Sequence, residues 1–410
     1  MIEFAYSLKS DAKKAFDEIR SKSGNLYFKP NLAVVYLTEN LQKDAKVFKF
    51  DFNTLCIPVE GFITPQRVWT RGCLCMFMDI DYSLNVLKGS INEVVEQLRN
   101  AEKGEFNLLV YPLFYVESYR SSIGKYLKLK LTSDIETASQ IYGEMIYPMN
   151  TMLRPFRDES KEAVSLNIFP LKLGFGKPQI FLNGEKLGRG VVHISFSKRF
   201  DASFTDYLPE RGRDLEETKE ILKGEFHFVE EVELKKSSLA IGELNGQTVR
   251  DYLRKYRVKT RDNLEKDIER GDFFGATPYI LLLLSRETCG SAALGLMDYN
   301  LKFYPSLFDL NVFEDRGIFS GEILKSGLER IKSEIKNLKS GFVFFDQNLM
   351  LMFEEKLVRA FKDYSGYGII TSFPSFSGSL NKRFMSEIEP NIFTNSTLST
   401  VFVDLPDQRK

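Results

Sequence analysis

The chain has 410 residues, 43% of them hydrophobic, and its 56 Lys plus Arg are balanced by 56 Asp plus Glu. That length exceeds what one hydrophobic core usually organises, so two domains are expected. Zero net charge excludes a long-range field steering the whole molecule to nucleic acid or an anionic bilayer, and leaves only local patches to argue about.

The opening MIEFAYSLKSDAKKAF interrupts every apolar run with charge, so neither a secretory signal nor a transit peptide is visible. Leu8, Ala12, Ala15, Phe16 and Ile19 form a helical stripe ahead of the apolar strand NLAVVYL. TLCIPV, RVWTRG and CLCMFMDI then read as consecutive strands. Ile91, Val94, Val95 and Leu98 repeat the helical stripe ahead of FNLLVY, and KPQIFLNGEKLGRGVVHISFS reads as a hairpin turning at Asn183-Gly184 or at 188–190. The polar stretch 206–225 interrupts the apolar pattern and predicts a boundary, giving domains over 1–224 and 225–410.

Beyond that boundary FHFVEEVEL and SSLAIGEL read as strands. AIGELNGQTVRDYL reads as a strand end, a left-handed turn at Asn245-Gly246 and a helix carrying Val249, Tyr252 and Leu253. RVKTRDNLEKDIERGD is a helix or a loop, and YILLLLS is far shorter than the roughly 20 residues that span a bilayer. No membrane insertion and a cytoplasmic location are therefore expected. Leu324, Leu328, Ile331, Ile335 and Leu338 form a third stripe ahead of GFVFFD. Strands with so little polar alternation are covered on both faces, which predicts an α/β (mixed α+β) fold: two layered domains whose mixed parallel and antiparallel sheets are covered by helices.

In such layers ligands bind beyond the carboxyl ends of parallel strands, where the chain turns and backbone N–H groups point outward. Three stretches qualify: Asp346 and Gln347 after GFVFFD, Ser372, Ser375 and Ser377 after YGIITS, and the polar run 117–122 after FNLLVY. A carboxylate beside hydroxyls suits an amino acid, Asp346 receiving the ammonium and the serines the carboxylate; the competing reading is that these residues only cap the next elements. In PVEGFITPQRVWTRG, Glu60 and Arg71 flank a turn beside Trp69, a binding edge or a surface ion pair next to a packed indole.

Catalytic readings have less to rest on. His193 and His227 are the two histidines and neither stands in a nucleophile motif; a core or edge role explains either. Cys56, Cys73, Cys75 and Cys289 show no framework spacing, which fits buried thiols in a reducing compartment. Cys73 with Cys75 lacks the second pair of a metal finger, and Asp79 with Asp81 reads as solvated carboxylates as readily as a cation site. GKPQIFLNGEKLGRG lacks the phosphate-loop spacing, and the basic RKYRVKTR is followed at once by acidic residues. Neither a cofactor nor a nucleic-acid partner is expected.

Several segments together resemble FIST proteins, a sensory family with N-terminal and C-terminal FIST domains: SDAKKAFDEI leading into PNLAVVYLT, IPVEGFI, IFLNGEKLGRGVVHISF, the ELNG unit at the middle, and YGIITSFPSFSGSL with NSTLSTVFVD near the end. SFSG at 375–378 and FFDQ at 344–347 depart from that family's pattern. The resemblance implies a small-ligand-binding sensory protein, with an amino acid or related polar metabolite as ligand and a separate signalling protein to read it. The alternatives are an enzyme of unrecognised type acting on a small metabolite, or a protein-interaction scaffold.

Overall fold

The structure is a computed structural model of the chain. It describes residues 1–115, 118–168, 179–206, 212, 214–256, 279–286, 291–296, 301–323, 326–337, 341–372, 374–377, 393–396 and 399–404.

Up to residue 80 the chain forms β1 (Ile2–Ser7), helix α1 (Ala12–Ser23), β2 (Leu32–Leu37), the single turn α2 (Glu39–Gln42), β3 (Asn53–Pro58), a hairpin of β4 (Gly61–Thr64) and β5 (Arg67–Trp69), and β6 (Cys73–Met78). The next stretch forms β7 (Tyr82–Leu87), α3 (Ile91–Asn100), β8 (Phe106–Pro112), α4 (Tyr119–Leu131), α5 (Ile135–Gly143), α6 (Met149–Asp158), β9 (Glu162–Ile168), a hairpin of β10 (Phe181–Leu182) and β11 (Glu185–Lys186), and β12 (Val191–Phe196). A third stretch starts with β13 (Asp201–Asp206). An inserted block follows, of α7 (Leu215–Lys223), β14 (Phe226–Ser237), β15 (Ala240–Leu244), β16 (Gln247–Thr248), α8 (Val249–Lys255), β17 (Tyr279–Ser285), β18 (Ser291–Leu296), β19 (Tyr304–Pro305) and β20 (Phe313–Ile323). The third stretch resumes with the helix Ser326–Asn337, β21 (Phe342–Asp346), the helix Gln347–Ala360, β22 (Tyr367–Thr371), β23 (Ser375–Ser377), β24 (Phe393–Ser396) and β25 (Ser399–Asp404).

Strand pairing turns these three stretches into three copies of one topology. The orders are β1-β6-β2-β3, β7-β12-β8-β9 and β13-β25-β21-β22. In each copy the last two strands are parallel and the other two pairings antiparallel. Each copy also lends a hairpin to another: β4 pairs with β22, β10 with β3, and β23 with β9. The exchange is cyclic. Pairing crosses the position 224/225 at β4/β22, β9/β23 and β13/β25. The fold is thus mixed α/β with several mixed sheets, as the covered strands predict.

The inner faces of the three sheets share one core, containing Val34 and Leu55 of the first copy, Leu108 and Val164 of the second, and Phe344 and Ile369 of the third. The outer face of the second copy packs on the inserted block, with Leu153 and Leu109 in one cluster with Leu281 and Phe319.

Local chemistry explains the elements. The Asp11 side chain caps α1 by accepting from Lys14 N at 2.8 Å, and Ser90 with Glu93 forms a reciprocal capping box on α3, each cap being worth about 1 kcal/mol. Asn183-Gly184 and Asn245-Gly246 take left-handed backbone, with φ of 53° and 83° in the first and 49° and 71° in the second, the geometry of two-residue hairpin turns. Val249, Tyr252 and Leu253 of α8 are buried as their spacing predicts.

Other stretches take definite forms. The polar stretch 206–225 carries α7, whose Leu215, Thr218 and Leu222 are buried beneath a charged outer face. Of the run 117–122, Ser118 caps α4 and 119–122 lie within it, while Glu117 lies outside the described residues. GFIT is a strand, β4, docked on another copy. RVKTRDNLEKDIERGD and Cys289 lie outside the described residues.

Candidate functional site at the carboxyl ends of the parallel pairs

The exchanged hairpins bring the carboxyl ends of the parallel pairs together. β3 ends at Pro58, and three residues later Gly61 is already paired with Ile370, next to the end of β22. β22 ends at Thr371, and Ser375 is paired with Ser165, three residues before the end of β9. An extended chain covers only about 3.3 Å per residue, so the three ends lie at one end of the shared core. Gly61 permits the first crossing, since a Cβ there would stand 2.7 Å from the Trp69 carbonyl oxygen and 3.0 Å from Ile370 Cδ1.

Alternation along the strands decides which side chains face that core. Phe342 and Phe344 point inward on β21, and Asp346 follows them. Ile369 points inward on β22, and Thr371 follows it. Asp346 and Thr371 are direct register partners, about 5 Å apart at the ordinary strand spacing. Leu32, Val34 and Tyr36 point inward on β2, and the Tyr36 ring stacks on Phe342 with centroids 5.6 Å apart. Gln347 opens the helix that follows β21.

Asp346, Gln347, Thr371, Ser372 and Tyr36 are all buried. Tyr36 OH, Thr371 Oγ1 and Gln347 Oε1 make no hydrogen bond among the described residues. Burial pushes the Tyr36 phenol well above its ordinary range, with Cys75 adding a smaller push, so it stays a neutral hydroxyl. An unpartnered buried polar atom costs about 1–3 kcal/mol. Thr371 Oγ1 and Gln347 Oε1, next to the Asp346 carboxyl group, form an oxygen-rich cluster, while Tyr36 packs on Phe342 at the other end of β21. Thr400 Oγ1 is also unpartnered, but its register partner Phe345 belongs to the outer cluster, so it lies on the opposite face.

Of the residues expected from sequence, Asp346, Gln347 and Ser372 meet here. Glu60 enters from the first copy, half-buried, its backbone N–H donating to the Ile370 carbonyl at 2.9 Å. The backbone of Ser375 pairs beside Ser165, while its side chain lies outside the described residues. Ser377 is buried opposite Ala163, toward the amino end of β9, and is not part of the site. Arg71 is exposed and, among the described residues, makes no ion pair with Glu60. The Trp69 indole donates to Thr64 Oγ1 at 2.9 Å within its own hairpin. Thr371 escaped sequence reasoning; the signal was a polar side chain closing an apolar strand in inward phase.

The remaining chemistry-bearing side chains lie elsewhere in the fold. His193 Nε2 lies 3.0 Å from Asn107 Oδ1. Asn107 Nδ2 donates to the Gly104 and Glu162 carbonyls, which assigns the imidazole proton to Nε2. His193 Nδ1 has no partner. Burial, helped by the Lys103 charge, lowers this histidine to about 4. His227 is exposed. Cys56, Cys73 and Cys75 are free and buried. Among the described residues no three His, Cys, Asp or Glu side chains group as metal ligands.

A protein of Archaeoglobus fulgidus described as uncharacterized is 57% identical over 349 residues, which cover 85% of this chain and 100% of the relative. A second uncharacterized protein of that organism is 77% identical over 61 residues, 15% of this chain and 98% of its own length. Residues 216–325 match the AF0772-like protein C-terminal domain. The chain belongs to the AF0772-like family. This overturns the FIST resemblance, which rested on short turns and buried strands that any mixed α/β fold supplies. The AF0772-like segment runs from α7 to the end of β20 and coincides with the block inserted into the third copy. The site described above lies outside that segment, on residues that flank it in the chain.

Proposed function

We propose that this protein binds a small polar molecule carrying an ammonium or comparable N–H donors at the carboxyl ends of the parallel pairs. The reading is carried by the unpartnered, buried Thr371 Oγ1 and Gln347 Oε1 beside Asp346. Asp346 would take the charged donor, Gln347 Oε1 a second N–H, and the Thr371 hydroxyl either role. The first turn of the helix Gln347–Ala360 offers backbone N–H groups for a ligand carboxylate, which makes a free amino acid the best-fitting class. Because Glu60 comes from one copy and Asp346 from another, occupancy is coupled to how the copies pack. A ligand that prefers one packing over another would be read by a separate protein.

Thermal melting against free amino acids, linear diamines, Mg²⁺ and Ca²⁺ tests this reading. A ligand at a hundred times its Kd stabilises the native state by about 2.7 kcal/mol. An amine-bearing member should raise the melting midpoint of the wild type and fail to do so in Asp346→Asn. Stabilisation by the divalent cations alone, or an equal response in Asp346→Asn, would reject it.

A further inference from the structure

Helix α4 turns an apolar face outward. Ile123, Tyr126, Leu127 and Leu131 are 41%, 42%, 52% and 83% exposed, whereas Leu129 is buried. At 3.6 residues per turn the four exposed side chains span about 140° of the helix on the side away from Leu129, a span that Arg120 and Lys130 share. The same helix carries Arg120, Lys125, Lys128 and Lys130 and no Asp or Glu, in a chain whose acids and bases balance. Lys125 is held by Glu144 at 2.8 Å. Arg120, Lys128 and Lys130 are exposed, and Lys130 Nζ sits 4.9 Å from the centroid of the Tyr126 ring.

We propose that α4 is a docking surface for an anionic lipid bilayer, lying flat with its apolar arc below the headgroups. The charge decides between occupants. A second copy of this chain meeting the same face by a twofold would bring the basic residues of two such helices together, a like-charge contact with no acid in either helix to relieve it. A bilayer supplies a plane that a convex helix can meet without a matching groove, and negative headgroups for the lysines. Lysine stems lie along apolar surface while their ammonium groups stay in water, and tyrosine favours the same boundary. Immersion of the arc by about 5–10 Å would suffice. Among the described residues no helix is long and apolar enough to cross a membrane, so the association is peripheral.

Flotation with vesicles of equimolar phosphatidylglycerol and phosphatidylcholine, against pure phosphatidylcholine, tests the proposal. The wild type should float with the anionic vesicles and not with the neutral ones. Lys128→Gln with Lys130→Gln should weaken that binding about 30-fold, each lysine near the surface being worth about fivefold. Leu127→Ala with Leu131→Ala should weaken it at least about tenfold through lost apolar burial. Both double variants should melt like the wild type, since all four side chains are exposed. Wild type that stays at the bottom of the gradient, or floats equally with neutral vesicles, overturns the proposal. So does a concentration-dependent dimer that the leucine variant dissociates.

Discussion

Replacing Thr371 with valine should stabilise the unliganded protein while replacing Thr38 with valine destabilises it. Both threonines follow or close an apolar parallel strand, and both are buried. Thr38 Oγ1 donates to the Gly72 carbonyl at 2.8 Å, whereas Thr371 Oγ1 makes no hydrogen bond among the described residues. Thr38→Val removes a made hydrogen bond and leaves the Gly72 carbonyl only the Thr38 backbone N–H at 3.1 Å, a loss of about 1 kcal/mol. Thr371→Val removes a hydroxyl whose desolvation nothing offsets and adds an apolar group of nearly the same shape, a gain of about 1–2 kcal/mol. Urea unfolding of the two variants beside the wild type reads the difference as midpoint shifts of opposite sign at a common slope. Thr371→Val should meanwhile weaken ligand binding about tenfold, equivalent to about 1.4 kcal/mol, the trade expected of a binding site. Midpoint losses of similar size in both variants would mean the Thr371 hydroxyl is satisfied, and the site argument would fail.

Three further outcomes follow from the same structure. Gly61→Ala should destabilise by about 1–3 kcal/mol, because its Cβ would meet the Trp69 carbonyl at 2.7 Å where β4 docks on β22; a melt indistinguishable from wild type would mean the crossing is loose. His193, lowered from 6.5 to about 4, stays neutral in the folded chain while the unfolded chain takes up a proton below about 6.5. Stability should therefore be full above pH 6.5 and fall as pH drops toward 4, by on the order of 2 kcal/mol at pH 5, and an imidazole NMR titration near the ordinary value would contradict this. Burial pushes Cys73 up to about 12 and raises Cys56 and Cys75 as well, so these three thiols should resist Ellman's reagent until the protein unfolds; rapid labelling of the native chain at any of them would show a more open first sheet.

Much of the layering could be read from residues. NLAVVYL, FNLLVY and GFVFFD announced strands covered on both faces, and each proved to be the inner member of a parallel pair. The Asn-Gly turns were legible because few side chains tolerate left-handed backbone. The exchange of hairpins was not legible. GFIT and RVWT carry nothing local that says they extend a sheet more than 300 residues later in sequence, since docking is decided by complementary edges rather than by periodicity. The inserted block hid for the same reason: α7 presents charge outward and buries three residues, so its stretch looked like a boundary. At the site, the carboxylate and amide after β21 stood out because they break an apolar run. Thr371 did not, because a hydroxyl at a strand end looks like a cap until its missing partner is known.

Electron density for the protein crystallised with the amine ligand that most raises its melting midpoint tests the central claim most directly. Density within hydrogen-bonding distance of Thr371 Oγ1 and Gln347 Oε1, with the ligand's ammonium on Asp346, is the expected result. Those two atoms occupied by ordered water alone, with the ligand seated elsewhere on the molecule, would contradict it.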